Sequence, residues 1–175
     1  MQKKPLILIV DDEVGVLNAL ERLLKADGYE IRRAQDPFQA LEILKQEPVD
    51  LIISDHLMPG MKGLELLKQA KAIRPDAIRV ILTGHADLAL AMTAINEGEV
   101  YRFFTKPWDD DALRLDVRLA IERFRLEREN KDLKRELSKK EKALKELEAK
   151  FPGITQVKRD ARGAIVIDDE DLEGE

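Results

Sequence analysis

Four short apolar runs in this sequence each end in a residue able to do chemistry: LILIV in Asp11 and Asp12, LIIS in Asp55, VIL in Thr83, and FFT in Lys106. Three carboxylates, a hydroxyl and an ammonium form a set suited to holding a hard cation and receiving an anion. Gathered in one place, Asp11, Asp12 and Asp55 would repel one another, and one lysine cannot neutralise three acids. The set therefore calls for a divalent cation with oxygen ligands, and Mg²⁺ is the expected guest. Each residue alone has a blander reading, because an aspartate at a strand-to-helix junction commonly caps the helix, and a threonine or lysine there is commonly solvated. The joint pattern is what carries information.

Something must bring those run ends together. Apolar runs alternate with amphipathic stretches to about residue 122, the pattern of βαβ units around a parallel sheet. Five strands are expected at 6–10, 30–33, 49–54, 78–83 and 101–105. Helices are expected at roughly 14–26, 37–46, 63–73, 86–97 and from 109 onward, with apolar spacings such as Val16, Leu17, Leu20, Leu23 and Leu24. Asp27-Gly28, Asp36-Pro37 and Gly98 punctuate them. The first and third strands read as nearly continuous Ile, Leu and Val, as strands covered on both faces do. The expected fold is α/β, a doubly wound five-stranded parallel sheet of flavodoxin-like order 2-1-3-4-5. Ligands bind such sheets outside the carboxyl ends of the strands where the order reverses, and here that point is flanked by the strands carrying Asp11, Asp12 and Asp55.

Of 175 residues, 30 are basic and 35 acidic, giving a formal net charge of -5, so bulk electrostatics do not favour nucleic acid. The absence of cysteine excludes disulfides, thiolate metal sites and cysteine nucleophiles. Leu6 to Val10 is too short for the core of a signal peptide, and no segment approaches the ~18 apolar residues of a membrane span. The expectation is a cytoplasmic protein with no membrane and no nucleic-acid partner.

No glycine or proline interrupts Asp109 to Lys150, and a helix of that length would run roughly 63 Å. Heptad positions a at Arg123, Asn130, Leu137, Leu144 and Phe151, with d at Leu119, Leu126, Leu133, Lys140 and Leu147, are apolar at seven of ten sites. A single helix held by pairs such as Glu136–Lys140 would leave that leucine stripe in water, so a coiled-coil homodimer is expected. Asn130 at an a position favours parallel pairing, as does Glu129 facing Lys134, whereas Glu136 facing Glu141 opposes it. The division is 1–121 for the globular domain, 122–150 for the coiled-coil extension and 151–175 for a short hairpin, 154–157 with 164–167, and an acidic tail.

Taken together, VDDE (10–13), SDHLMPGMKG (54–63), LTGHAD (82–87) and YRFFTKPW (101–108) resemble the receiver domain of two-component response regulators over residues 1 to about 122. The resemblance implies that Asp55 is the phosphoacceptor, and that Asp11, Asp12, Asp55 and the backbone carbonyl of Leu57 hold Mg²⁺. It implies further that Thr83 bonds a phosphoryl oxygen, Lys106 neutralises its charge, and Phe103 is the switch aromatic. The Lys106–Pro107 bond is expected to be cis, aiming the lysine inward. The partners implied are a histidine kinase or phosphotransfer protein and an output protein that the sequence does not name. The resemblance also extends to receivers attached to ATP-dependent activators or cyclic-dinucleotide phosphodiesterases, so a fragment of a larger regulator is an alternative.

A carboxylate can attack a phosphoryl group to form an acyl phosphate, with alignment and charge neutralisation as the protein's contribution. No general base for fast hydrolysis is evident, so the expectation is a signalling protein, not an enzyme. A phosphatase of the haloacid dehalogenase type would need a second acid two residues after its nucleophile, where Asp55 has Leu57. A non-catalytic coiled-coil adaptor sits poorly with an intact acidic pocket. A transcription factor would need a DNA-reading module, and residues 122–150 are mixed in charge, with 11 basic and 8 acidic residues. His56 and His85 are read as loop residues tuning access, and Trp108 as a packing anchor.

Overall fold

The structure is a computed structural model that describes residues 4–84, 88–97 and 99–152. Five parallel strands, β1 (Leu6–Val10), β2 (Glu30–Ala34), β3 (Leu51–Asp55), β4 (Ile78–Thr83) and β5 (Arg102–Thr105), form one sheet in the order β2-β1-β3-β4-β5. The helices are α1 (Val14–Ala26), α2 (Pro37–Gln46), α3 (Gly63–Ile73), α4 (Leu88–Asn96) and α5 (Asp110–Lys150). This is the doubly wound fold expected from the sequence. Boundaries moved by a few residues: β3 begins at Leu51 and takes in Asp55, and Val49, expected in the strand, instead donates its amide to the nearby Glu47 carbonyl. His85, Gly98 and the expected hairpin and acidic tail lie outside the described residues.

Every residue of β1 and β3 is buried, which is why β1 reads as an unbroken apolar run and β3 as one up to Ser54 and Asp55. Side chains alternate across the sheet. Leu8, Val10, Ile52 and Ile81 join a core closed by α2, α3 and α4. Ile7, Ile9, Ile53 and Leu82 join another closed by α1 and α5. Local chemistry sets the helix ends. The Asp36 side chain accepts from the Gln39 amide at 2.8 Å with Pro37 in the first helical turn, so α2 starts where its free amides find a partner. Gly28, with φ +85°, turns the chain out of α1 in the left-handed region that glycine tolerates.

The chain divides into two compact units, Met1–Leu126 and a second from Glu127. Within the first, Ile121 is the last buried residue of α5. Within the second, the described part is the helix through Lys150, and Leu133, Leu137, Leu144 and Leu147 all lie exposed. No helix among the described residues is long and apolar enough to cross a membrane.

Candidate functional site

The hydrogen-bond ladders bring the strand ends level. Val10 pairs with Ser54, so Asp11 and Asp55 leave neighbouring strands side by side; Asp55 pairs with Leu82, and Thr83 with Thr105, so Thr83 and Lys106 complete the same rim. The four run ends converge as expected. Asp11 and Asp55 are buried while Asp12 is exposed, and one oxygen from each carboxylate lies within 4.8 Å of the others. Ligands on opposite sides of Mg²⁺ stand about 4.2 Å apart. Small torsional adjustments would therefore let these three acids share one ion, and the residues fit the metal.

Lys106 enters from the end of β5, preceding a cis bond to Pro107. Its Nζ lies 2.8 Å from Asp11 Oδ2, 3.0 Å from Asp55 Oδ1 and 3.8 Å from Glu13 Oε1. Asp11 is held from its other side by the Glu13 amide at 2.9 Å. Burial pushes the Asp55 carboxyl above its usual value, while hydrogen bonding and charge from Lys106 pull against that and Asp11 reinforces it. Burial alone would lower the Lys106 ammonium, but its bonds to Asp11 and Asp55, with their charges, outweigh burial and hold it above the ordinary lysine value. The lysine is thus firmly charged, and the buried acid resists further negative charge unless more positive charge arrives.

Thr83, fully buried at the end of β4, donates from Oγ1 to the Gly84 carbonyl at 3.2 Å. It has the same alternation parity as Ile81, so it stands between the acidic pocket and the α2–α4 core, against which Phe103 packs half-buried. Leu57 follows in the loop after β3 with its side chain exposed, as suits a residue expected to contribute only its carbonyl. Trp108 packs half-buried against the α1–α5 core, with Nε1 donating to Asp110 at 3.0 Å. His56 lies in the bend after β3, as expected of a loop residue, but it is buried at 2% exposure, with its amide donating to the Leu82 carbonyl at 2.9 Å.

Gly63 is a positional requirement that sequence reading left without a role. A Cβ there would lie 2.0 Å from the Asp55 carbonyl oxygen and 2.9 Å from the His56 Cα, backbone atoms that cannot swing aside. Its amide also donates to the His56 carbonyl at 2.8 Å, so α3 begins locked to the strand end that carries Asp55. The signal in the sequence was a glycine at the first helical position of α3, after Lys62 at the cap, where Ser, Thr, Asp or Asn is usual. Gly63→Ala is expected to destabilise the protein by about 3 kcal/mol through overpacking. Urea denaturation checks this, and a variant within a few tenths of a kcal/mol of wild type would contradict the close approach.

Residues 7–118 match the response regulator receiver domain family. Among curated relatives, the transcriptional regulatory protein GlrR of Escherichia coli (strain K12) is 37% identical over 123 residues, 70% of this chain and 28% of that protein. The C4-dicarboxylate transport transcriptional regulatory protein DctD of Rhizobium meliloti is 34% identical over 135 residues, 77% of this chain and 29% of its own length. The chain thus spans less than a third of the length of these relatives. Among solved structures, the signal receiver domain of an HD domain-containing protein from Pseudomonas fluorescens Pf-5 is 43% identical with a TM-score of 0.69, covering 74% of this chain and 95% of that one. A CheY-like receiver domain protein from Methanospirillum hungatei JF-1 is 27% identical with a TM-score of 0.67, covering 71% and 99%. With the matched residues taking in every strand of the sheet and the whole acidic rim, the chain belongs to the response regulator receiver domain family.

Proposed function

We propose that Asp55 accepts a phosphoryl group from a histidine kinase or phosphotransfer protein in the cytoplasm, and that the resulting acyl phosphate signals to a protein partner. The observation that supports this best is Lys106 bridging Asp11 and Asp55 beside a third carboxylate, an anion-receiving pocket still short of positive charge. Asp11, Asp12 and Asp55, with the Leu57 carbonyl, would hold Mg²⁺, which when bound supplies the remaining positive charge for an incoming phosphoryl group. An Asp55 oxygen attacks phosphorus as the bond to the donor imidazole nitrogen breaks, and that nitrogen leaves with the electron pair. Lys106 stabilises the charge on the transferred oxygens. Asp55 acts as a nucleophile only, and none of the described residues of the pocket has the role of a general base for rapid hydrolysis.

Thr83 then turns its hydroxyl from the Gly84 carbonyl to a phosphoryl oxygen, and Phe103 follows into the space vacated, a local charge event biasing a two-state surface. Lys106→Ala is expected to slow phosphorylation by about a hundredfold, whereas Thr83→Ala retains it and loses the response of Phe103. Mass spectrometry reads the first, and a fluorine label on the Phe103 ring reads the second. A Phe103 response that survives Thr83→Ala would refute the switch.

The exposed leucines of α5 support a second part of this reading, a homodimer. In a parallel pair Asn130 meets Asn130 of the copy, Glu129 faces Lys134, and the like-charged Glu136 and Glu141 flank Lys140, the lysine at the d position of that heptad. The seam cation falls where the flanking acids would otherwise repel.

A further inference from the structure

His56 is a buried side chain with hydrogen-bonding chemistry that the proposed phosphotransfer does not use. It adjoins Asp55, is 2% exposed, and neither Nδ1 nor Nε2 has a hydrogen-bond partner among the described residues. A neutral imidazole carries one N–H donor and one acceptor nitrogen, and burial with both unmet is unfavourable. The backbone cannot move to relieve it, because the His56 amide is tied to the Leu82 carbonyl and its carbonyl to the Gly63 amide.

The sheet places His56 beside the switch. Asp55, the last residue of β3, pairs with Leu82, and the next amide, that of His56, donates to the Leu82 carbonyl, so the His56 backbone stands next to Thr83, which shares the face of Ile81 toward the α2–α4 core on which Phe103 packs. Thr83 meanwhile spends its hydroxyl on the Gly84 carbonyl at 3.2 Å. Turning that hydroxyl to a phosphoryl oxygen strips the half-buried Gly84 of this donor, while the imidazole of His56, whose amide is bonded to β4 two residues before Gly84, has one unused.

We propose that His56 is a positioning residue of the switch, its imidazole N–H taking over the Gly84 carbonyl when Thr83 releases it. The inference rests on the phosphoacceptor reading above. Before phosphorylation the ring is unsatisfied; afterwards one new bond satisfies both the ring donor and the carbonyl, so His56 favours the switched arrangement. No bond to the phosphoryl group and no proton transfer is involved, only an exchange of donors at one acceptor.

The test uses the full chain labelled with ¹⁵N in its two histidines, the His56 signals being assigned through His85→Gln, and compares Mg²⁺ alone with Mg²⁺ plus acetyl phosphate. Mass spectrometry of the same sample reports whether Asp55 carries the group. With Asp55 modified, the His56 N–H is expected to become slowly exchanging with a hydrogen-bonded proton shift; identical imidazole signals in both states overturn the proposal. An unmodified Asp55 overturns the phosphoacceptor reading itself and this inference with it, and the mass separates the two failures. His56→Phe, which keeps the volume and removes the donor, should retain phosphorylation and lower the switched population of the Phe103 ring about fivefold, the loss of one net hydrogen bond. His56→Gln, which restores a donor, should recover most of it. A His56→Phe protein that switches like wild type also overturns the proposal.

Discussion

Asp55→Asn is expected to abolish phosphorylation by a small phosphodonor, while the wild-type protein gains one phosphoryl group only when Mg²⁺ is present. The size of the effect follows from the pocket. Asp55 is the carboxylate that Lys106 reaches at 3.0 Å at the rim of the sheet, and the other described acids of the cluster, Asp11 and Asp12, are expected to serve the metal. Asp11 is tied to both Lys106 and the Glu13 amide, and Asp12 is exposed. Asparagine keeps the shape but cannot form the acyl phosphate. Removal of divalent ions should be as damaging as the substitution, because three carboxylates and one ammonium leave the pocket negative before another anion approaches. Intact-protein mass spectrometry decides it. A phosphoryl group that persists in Asp55→Asn, or that adds in excess chelator, would place the chemistry elsewhere.

Leu137→Asp combined with Leu144→Asp is expected to convert a homodimer into monomers. Both leucines are exposed on the α5 stripe, along with Leu133 and Leu147, and a soluble helix rarely leaves such a stripe uncovered. Each substitution removes buried leucine area in the pair and sets a carboxylate against its own copy, a loss of roughly 2 kcal/mol or more per site. Two chains each carry two substitutions, so the penalties add to a large shift in dissociation constant. The receiver should be unaffected, because both cores lie within the first unit and Ile121 is the last α5 residue to enter them. Phosphorylation at Asp55 should therefore continue in the monomer. Light scattering coupled to size exclusion reads the result. A wild-type protein that elutes as a monomer at tens of micromolar, phosphorylated or not, would assign the leucine stripe to a different protein.

The sequence by itself determined the element order, the two-sided burial of β1 and β3, and which apolar runs end in Asp11, Asp12, Asp55, Thr83 and Lys106. Each is a local property: Leu6 to Val10 is apolar at every position, Asp11 and Asp55 terminate their runs, and the stripe from Leu126 to Leu147 repeats every seven residues. Such patterns are legible because one strand or helix decides its own buried face. The tertiary structure decided what depends on two distant segments at once. That Asp11 and Asp55 stand level follows from Val10 pairing with Ser54, a hydrogen-bond register between residues 44 apart in the chain. A slip of one residue would have turned one of them to the opposite face. Gly63 is required by a backbone carbonyl eight residues earlier that comes within 2.0 Å of its missing Cβ, and no feature of MPGMKG encodes that distance. His56 read as a loop residue because polar side chains after a strand usually meet water; here the anchoring of α3 to its carbonyl and of β4 to its amide closes the site around the ring. Burial is set by what packs over a residue from elsewhere in the chain, so it is the property that local sequence specifies least and that the packed sheet and helices decide.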